Sequence, residues 1–412
     1  MRVLHVNKFL YRRGGAEGYM LDVAARQRDQ GHEVRVWGMA HPENDADHVL
    51  GPLPSHVEFE PAPDGVLDRV RLAGRMVWSR EAKAALGAAL DTWRPDVIHC
   101  HNIYHQLSPS VLSAADKRGI PVVLTMHDYK LACPTYQFLD KGEPCTACVD
   151  GGPWQAAKRA CKDGSRAASG IASLEVWLHR RFQAYDPVGR FISPSRFLAD
   201  QIAQAGVYPD RVVVLDNLTD VDATETQAAP GRGAVFAGRL SYEKGVDTLV
   251  RAVGEVAGVA PGPLLDIAGD GPDRAALEKL AEEVAPGLVR FHGRLGKAEL
   301  MALVRGAVVS VVPSRWHENQ PLSVLESFSA GVPVVATMMG GLPELVRDGE
   351  TGWLVERDDP AGLAKALLEA LDDPAEAHRR GATARLLAEE RFAPAVHLEA
   401  LAGIYSAAGA RA

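Results

Sequence analysis

Residues 313–337 read PSRWHENQPLSVLESFSAGVPVVAT, and this stretch carries the strongest signal for the fold. A polar loop leads into an apolar segment with helical spacing, and Gly331–Pro333 separates that helix from a β-branched strand. Glu318 stands in the loop, and Glu326 stands about one and a half turns into the helix at ~1.5 Å per residue. Two carboxylates at different heights around one junction can face one ligand. The alternative is a helix-capping Glu318 and a surface Glu326.

Glu326 interrupts an apolar helix, so we expect it to be buried. A buried carboxylate without partners is costly, and Glu326 must therefore accept hydrogen bonds. The hydroxyl groups of a ribose are suitable donors. This reasoning places a hydroxyl-rich ligand beside the predicted helix.

Short β-rich runs alternate with helical segments along the whole chain, which predicts parallel sheets covered on both faces by helices. The pattern restarts after the polar stretch 217–233, which we interpret as a linker. We therefore predict an α/β protein with two doubly wound, Rossmann-like domains that face each other across a cleft. They comprise residues 1–216 and 217–390, with a last helix in 391–412. Ligands of such sheets bind beyond the carboxyl ends of the strands.

The composition is that of an ordinary globular protein. The 412 residues are 47% hydrophobic and 24% charged, with a net charge of −8. Residues 1–216 carry 26 basic against 25 acidic side chains and the remainder 19 against 28, which argues against nucleic-acid binding. No apolar run reaches the ~18 residues of a membrane span, and the N-terminus lacks a signal-peptide core. We therefore expect a cytoplasmic protein.

Two glycine-containing stretches follow predicted strands of the second half. AGRLSYEKG, residues 237–245, offers Gly238, Arg239 and Lys244 just before a predicted helix. Cations and backbone N–H groups at a helix N-terminus form an anion site suited to a diphosphate. AGDGPD, residues 268–273, provides Gly271 for close backbone approach. The alternatives are solvated turns, the second of them with an aspartate N-cap.

These stretches together resemble the retaining glycosyltransferases of the GT-B fold, specifically family 4. That family has two glutamates separated by seven residues, here E-NQPLSVL-E, as well as a GR…EKG stretch and a GxGP-like turn. Its N-terminal glycine pair corresponds to Gly14 and Gly15. The resemblance covers nearly the whole chain and includes a final helix that crosses back to the first domain in this family.

The resemblance implies roles for individual residues. Arg239 and Lys244 would hold the diphosphate of the donor, Glu326 would bind the ribose of the nucleotide, and Glu318 would lie near the transferred sugar. His127, after the strand PVVLTM, matches a histidine that faces the donor sugar, and Asp128 lies beside it in the sequence. Without the resemblance, a structural core histidine would be the preferred interpretation of His127. The residues implied in backbone contacts are Asn319, Gln320, Pro321, Leu322, Gly14 and Gly15.

The implied activity is transfer of a sugar from a nucleoside-diphosphate sugar to a hydroxyl acceptor, with retention at the anomeric carbon. The acceptor would be a glycan, a lipid-linked compound or a small-molecule glycoside. Cations would stabilise the departing diphosphate, so no divalent metal is expected to be required. The Asp-x-Asp spacing in NDADH, residues 44–48, is discounted because it lies in a polar loop. Two alternatives remain open: a sugar-nucleotide 2-epimerase, and a non-catalytic module that binds a nucleotide sugar or a metal.

Four cysteines fall within residues 133–161, spaced C-x11-C-x2-C-x12-C. This spacing is typical of a structural zinc or iron–sulfur site, although reduced thiols and disulfides remain open. The residues are Cys133, Cys145, Cys148 and Cys161. The nearby histidines His99, His101 and His105 are interpreted as strand-end or packing residues in preference to metal ligands.

Residues 154–183 contain six basic side chains, interspersed with Trp154 and Trp177, and residues 66–83 contain five more. Such surfaces suit an anionic membrane or a polyprenyl-diphosphate-linked acceptor. A solvated helix face is the alternative, and the one that composition alone favours.

Overall fold

A computed structural model describes residues 1–44, 46–58, 65–221, 223–228, 231–258 and 264–410. The chain divides into two compact units. The first comprises Met1–Lys141, Cys145–Leu215 and Leu398–Ala412, and the second comprises Gly142–Pro144 and Asp216–His397. Among the described residues, no helix combines the length and the apolar character that a membrane span requires.

The first unit is built on a six-stranded parallel sheet in the order β2-β1-β3-β4-β7-β8. Its central strands are buried and nearly all apolar, as expected for a sheet covered on both faces. Its elements are β1 (Arg2–Val6), α1 (Gly15–Asp29), β2 (Glu33–Trp37), α2 (Val66–Val77), α3 (Arg80–Thr92), β3 (Val97–Cys100), α4 (Ser110–Asp116), β4 (Val122–Thr125), α5 (Ala147–Gly151), α6 (Trp154–Arg159), α7 (Arg166–Arg181), β7 (Val188–Ser193), α8 (Arg196–Gln204) and β8 (Val212–Val214). A further short strand is β5 (Leu139–Asp140), and the residues of the next one, β6 (Glu143–Pro144), are grouped with the second unit.

The second unit repeats the design with a parallel sheet in the order β11-β10-β9-β12-β13-β14. Its elements are β9 (Ala234–Ala237), α9 (Val246–Glu255), β10 (Leu265–Ala268), α10 (Arg274–Val284), β11 (Val289–Gly293), α11 (Lys297–Gly306), β12 (Val309–Val312), α12 (Leu322–Ser329), β13 (Val334–Thr337), α13 (Leu342–Leu345), β14 (Gly352–Val355), α14 (Pro360–Asp372) and α15 (Pro374–Arg391). The last helix, α16 (Pro394–Ala407), begins in this unit and continues into the first.

Each sheet has one point at which the strand order reverses. In the second unit this point lies between β9 and β12, and in the first it lies between β1 and β3. Crevices outside the carboxyl ends of strands at such points are where open α/β sheets bind ligands. The loops after these four strands hold most of the predicted site residues, so the topology gathers them in each unit.

The polar stretch interpreted as a linker is packed onto the second unit in its described part. Val221 is fully buried, the Thr219 amide donates to the Phe392 carbonyl, and the Gln227 amide donates to the Ala330 carbonyl. The two units divide between Leu215 and Asp216, so the stretch follows the division and is packed onto the second unit. Residues 222, 229 and 230 of this stretch lie outside the described residues.

Candidate active site

Glu318 lies in the loop between β12 and α12, beyond the carboxyl end of a buried strand. The Lys244 ammonium donates to Glu318 Oε1 at 2.6 Å, and the Ser314 hydroxyl donates to the same oxygen at 2.6 Å. The main chain is fixed as well, because the Gly341 amide donates to the Glu318 carbonyl at 2.7 Å. A buried carboxylate is thus tied to a fixed position at the end of the sheet.

The electrostatics of Glu318 favour its ionised form. Burial by itself would raise the pKa of this carboxyl, but the charge and hydrogen bond of Lys244 and the hydrogen bond of Ser314 outweigh it and lower the pKa. Only 5% of the residue is exposed, so this negative charge meets little solvent. Its main compensating charge is the Lys244 ammonium.

Lys244 is held beside Glu318 by the turn that precedes α9. Gly245 has φ +65°, and a Cβ at this position would lie 2.1 Å from the Pro313 carbonyl oxygen. Glycine therefore allows the turn to approach the end of β12 closely. The Lys244 ammonium also lies 5.2 Å from the centre of the Trp316 ring, a cation–π distance. The EKG sequence thus positions a cation over the loop that carries Glu318.

Arg239 follows β9 and has an exposed side chain. Within the described ranges it makes no hydrogen bond or ion pair to the Lys244–Glu318 pair, which distinguishes its position from that of Lys244. The structure therefore places Arg239 on the predicted strand-end loop with its guanidinium open to solvent.

Gly271 allows the loop after β10 to pack against the loop after β9. A Cβ at Gly271 would lie 2.2 Å from the Leu240 carbonyl oxygen, and the Leu240 amide donates to the Asp270 carbonyl at 3.0 Å. The Gly238 amide in turn donates to the Ala268 carbonyl at 3.0 Å. The two predicted glycine loops therefore form one backbone-lined edge of the second unit.

Glu326 lies in α12 and is partly exposed, so the expectation of a buried carboxylate was wrong. The buried face of this short helix is occupied by Val324, Leu325 and Phe328, and Glu326 lies off that face. The described interactions of Glu326 include the Ala330 amide donating to its backbone carbonyl at 3.1 Å. A ligand can reach the carboxylate from outside the core.

The residues between the two glutamates anchor the helix. Pro321 is the N-cap and Leu322 is the first helical residue of α12. The Gln320 side chain is buried, accepts from the Asn217 amide and donates to Asp216. Gln320 is therefore occupied within the protein, while its neighbour Asn319 is partly exposed.

Sequence reasoning missed Arg315, which holds the site loop in place. Its guanidinium donates to both carboxylate oxygens of Asp247 at 2.6 and 2.8 Å, to Thr248 at 3.0 Å and to Asp358. Arg315 is 7% exposed. A planar guanidinium suits such a forked arrangement. Its place in the opening polar stretch was visible, but its partners lie far away in the sequence.

In the first unit, Gly14 is the N-cap of α1 and Gly15 is its first residue, in the loop after β1. His127 and Asp128 follow β4, two strands away in the same sheet. Burial lowers the pKa of His127 to about 3 and raises the pKa of Asp128. The Asp128 carboxylate accepts from the Lys130 amide at 2.9 Å. The glycine pair and His127 therefore lie at the carboxyl end of one sheet.

Three fully buried histidines, His5, His99 and His101, have ring nitrogens within 4.8 Å of one another. All six nitrogens already have hydrogen-bond partners in the protein: Gln27 and His101 for His5, Tyr405 and Thr125 for His99, His5 and His127 for His101. The arrangement fits a hydrogen-bonded network better than a metal site. The third predicted histidine, His105, lies 3.3 Å from a Glu175 carboxylate oxygen.

A buried ion pair follows His127 in the sequence. The Lys130 ammonium donates to Glu175 Oε2 at 2.8 Å and to the Pro134 carbonyl at 3.1 Å, and both charged side chains are almost fully buried. Burial would raise the pKa of Glu175, but Lys130 and His105 lower it well below the usual range. This pair ties the loop after β4 to α7, and sequence reasoning did not identify it.

The four cysteines of residues 133–161 are free thiols. Burial raises the pKa of Cys148 to about 12 and that of Cys161 to about 11, and the other cysteines of the group add to both shifts. Among the described residues, no three of these sulfurs lie within 4.8 Å of one another, so the compact four-cysteine cluster is not formed. The thiols as placed do not fit one shared ion, and the structural metal stays a prediction.

Family models match both halves of the chain. Residues 14–217 match the model described as glycosyl transferase 4-like domain, and residues 227–387 match the model described as glycosyl transferases group 1. A D-inositol 3-phosphate glycosyltransferase of Streptomyces scabiei is 31% identical over 422 residues, covering 96% of this chain and 86% of the relative. A glycogen synthase of Mycobacterium tuberculosis is 29% identical over 325 residues, covering 77% and 70%.

Solved structures with the same architecture cover nearly the whole chain. The sucrose-phosphate synthase of Thermosynechococcus elongatus has a TM-score of 0.71 at 20% identity and covers 98% of both chains. The Anabaena protein HepE, in a complex with UDP-glucose, has a TM-score of 0.66 at 19% identity and covers 98% of this chain and 99% of its own. At these identities, the similarity concerns the fold.

Proposed function

Because the chain belongs to the family 4, group 1 glycosyltransferases and has their two-domain GT-B architecture, we propose that it is a retaining enzyme that uses a nucleoside-diphosphate sugar. It transfers the sugar to a hydroxyl group of a glycan, a lipid-linked compound or a small-molecule glycoside. The observation that carries the proposal is the ion pair between the partly exposed Lys244 and the buried Glu318, at the point where the strand order reverses.

The charges of the second unit support a diphosphate ligand. Arg239 is exposed on the loop after β9, and Lys244 stands before α9. Positive groups at the leaving diphosphate stabilise the charge that develops during transfer. Protein cations supply this stabilisation, so transfer proceeds without a divalent metal. Brief EDTA treatment should leave the turnover unchanged.

The two glutamates would contact different parts of the nucleotide-sugar donor. Glu318 is buried and paired, which suits a fixed contact near the sugar, and Glu326 is open enough to accept hydrogen bonds from ribose hydroxyls. His127, in the first unit, would contact the transferred sugar. The relatives named for glycosyl transfer and the neighbour in complex with UDP-glucose support a nucleotide-sugar donor.

The test is a thermal-shift screen of nucleoside diphosphates and their sugars, followed by product analysis. We expect stabilisation by one nucleotide series, and a product whose mass equals that of the acceptor plus the sugar minus one water. Proton NMR should show that the product keeps the anomeric configuration of the donor. A new sugar nucleotide of unchanged mass, formed without acceptor, would instead identify a 2-epimerase. Binding without any turnover across an acceptor panel would identify a non-catalytic module.

An exposed face of α7 supports peripheral contact with an anionic membrane. Ile171, Leu174 and Trp177 are 45%, 42% and 42% exposed, and Phe182, just after the helix, is 72% exposed. Exposed apolar groups of this size next to cations suit the interface of an anionic bilayer. The flanking basic residues are Lys158, Lys162, Arg166 and Arg181.

Co-sedimentation with vesicles of phosphatidylcholine and phosphatidylglycerol tests the membrane proposal. Binding should be strong at low salt, weaken as salt rises, and fall sharply in a Leu174→Ser/Trp177→Ser variant. Leu386→Ser, which removes a 65% exposed side chain from α15, is the matched control. Absence of binding at low salt would end the membrane proposal without affecting the proposed reaction.

A further inference from the structure

A chain of side-chain hydrogen bonds runs through the first unit and ends at His127. The Gln27 Oε1 atom lies 2.8 Å from His5 Nε2, His5 Nδ1 lies 3.0 Å from His101 Nε2, and His101 Nδ1 lies 3.0 Å from His127 Nε2. Gln27 lies in α1, and the histidines lie on or just after three adjacent strands. Gln27, His5 and His101 are buried, whereas His127 is partly exposed.

The three histidines in this series of hydrogen bonds, His5, His101 and His127, are neutral. Burial lowers the pKa of His5 to about 4 and that of His127 to about 3, and burial with the neighbouring histidines lowers the pKa of His101 well below 6.5. A neutral imidazole has one donor nitrogen and one acceptor nitrogen. Each ring must therefore donate at one end and accept at the other, and the direction of one bond determines the direction of all.

Gln27 determines that direction. Its amide nitrogen donates to the Tyr405 hydroxyl at 3.2 Å, which leaves its carbonyl oxygen to accept from His5 Nε2–H. His5 Nδ1 then accepts from His101 Nε2–H, and His101 Nδ1 accepts from His127 Nε2–H. His127 Nδ1 consequently carries a lone pair and is the ring nitrogen that remains for a ligand.

We propose that Gln27, His5 and His101 are positioning residues that hold His127 as its Nε2–H tautomer, so that Nδ1 accepts a hydrogen bond from a substrate hydroxyl. The proposal rests on the proposed function in one respect: that His127 contacts the sugar. In this tautomer, Nδ1 of His127 cannot donate a hydrogen bond. Substrates that place a hydrogen-bond acceptor, instead of a hydroxyl group, opposite Nδ1 should therefore be disfavoured.

A second branch of hydrogen bonds starts from the same Gln27 amide. The Tyr405 hydroxyl lies 2.8 Å from His99 Nδ1, and His99 Nε2 lies 2.7 Å from the Thr125 hydroxyl oxygen. With Tyr405 accepting from Gln27, its own hydroxyl hydrogen goes to His99, whose other nitrogen donates to Thr125. Reversing the Gln27 amide would reverse both branches together, so a single buried amide sets the state of four imidazoles.

The direct test is NMR of the protein labelled with ¹⁵N-histidine, because the two neutral tautomers give different nitrogen shifts and long-range proton couplings. His127 should be the Nε2–H tautomer in the wild-type protein at neutral pH, with its signals assigned by their loss in His127→Asn. An Nδ1–H tautomer at His127 would overturn the proposal, and this measurement needs no variant of Gln27.

Substitutions at Gln27 test its control over the chain. Gln27→Met removes the acceptor and should give a mixture of His127 tautomers, whereas Gln27→Glu keeps an acceptor oxygen and should retain the Nε2–H form. If the tautomer stays pure in Gln27→Met, Gln27 does not set it. If Gln27→Met does not fold, His101→Gln provides the second break in the chain.

Kinetics separate this proposal from the proposed function. Gln27→Met should lower kcat for sugar transfer several-fold, and Gln27→Glu should restore most of it. An Nε2–H result in a protein whose His127→Ala variant transfers sugar normally would leave the hydrogen-bonded chain intact and refute only the contact of His127 with the sugar.

Discussion

The Lys244 ammonium and the Glu318 carboxylate form a 2.6 Å ion pair between two loops that are 74 residues apart in the sequence. The carboxylate is nearly inaccessible to solvent, whereas the lysine side chain is 21% exposed. One partner is therefore fixed in the protein and the other can also meet a ligand. A phosphate group that approaches Lys244 would meet a cation that is already oriented.

Lys244→Met should lower both stability and turnover, because it leaves the Glu318 charge buried without its main partner. We expect a loss of about 1–3 kcal/mol in the free energy of unfolding and a loss of most transfer activity. Adding Glu318→Gln should recover the stability, since the uncompensated charge disappears, without recovering the activity. Chemical denaturation and initial rates measure the two effects.

Lys279→Met is the control for this pair, because Lys279 is exposed and pairs with Glu283 on the surface of α10. Lys279→Met should change neither the free energy of unfolding nor the transfer rate appreciably. A double variant that regains full turnover along with stability would show that Lys244 serves only to neutralise Glu318.

Glu326→Ala should weaken binding of the nucleoside diphosphate on the order of 10- to 100-fold, the range for a lost hydrogen bond to a charged group. The effect should shrink when the ligand is the 2′- or 3′-deoxy form, because the hydroxyl that Glu326 would accept from is then missing. Calorimetric titration of the nucleoside diphosphate and of its deoxy form against the wild-type protein and Glu326→Ala gives the four affinities for this comparison. An equal loss for every ligand would contradict contact with the ribose.

Arg315→Lys should reduce stability and turnover although the charge is conserved. Lysine cannot reproduce the forked hydrogen bonds to Asp247 or reach Asp358 at the same time. We expect a destabilisation of about 1–3 kcal/mol and a lower kcat, since the loop that carries Glu318 loses its anchor. Arg347→Lys, at an exposed i,i+3 pair, is the matched control. Wild-type turnover in Arg315→Lys would show that the loop keeps its position without the fork.

Acid should destabilise the protein from pH 6.5 downward. The folded-state pKa of His5 is about 4 and that of His127 about 3, against 6.5 in an unfolded chain, so the unfolded state binds more protons between these values. The free energy of unfolding therefore decreases as the pH decreases, by about 1.4 kcal/mol per pH unit for each such histidine. His5→Gln should reduce the slope between pH 6 and 4.5 by about one proton. An unchanged slope would show that His5 is not buried as a neutral ring.

The alternating pattern of strands and helices predicted two parallel sheets, and they are present with the reversal points that bring the site loops together. The positions of Arg239 and Glu318 in loops that follow strands came from the same pattern. The side-chain ion pairs could not be predicted from this pattern. Lys244 and Glu318, like Arg315 and Asp247, are far apart in the sequence and are brought together only by the register of neighbouring strands.

Other errors have local physical causes. Glu326 was expected to be buried because its neighbours are apolar, but an eight-residue helix buries only one face and Glu326 lies off it. The polar segment after Leu215 starts where the two units divide, but its packing was not foreseen: Asn217 and Gln227 satisfy their polar groups within the second unit. Composition records polarity and does not record whether a polar group finds a partner.

The most direct measurement is the difference in affinity between a nucleoside diphosphate and the matching monophosphate, in the wild-type protein and in Arg239→Ala and Lys244→Ala. If these cations hold the outer phosphate, the wild-type protein prefers the diphosphate, and each substitution removes on the order of 10-fold of that preference while sparing the monophosphate. A preference that survives both substitutions would mean that the diphosphate is bound elsewhere.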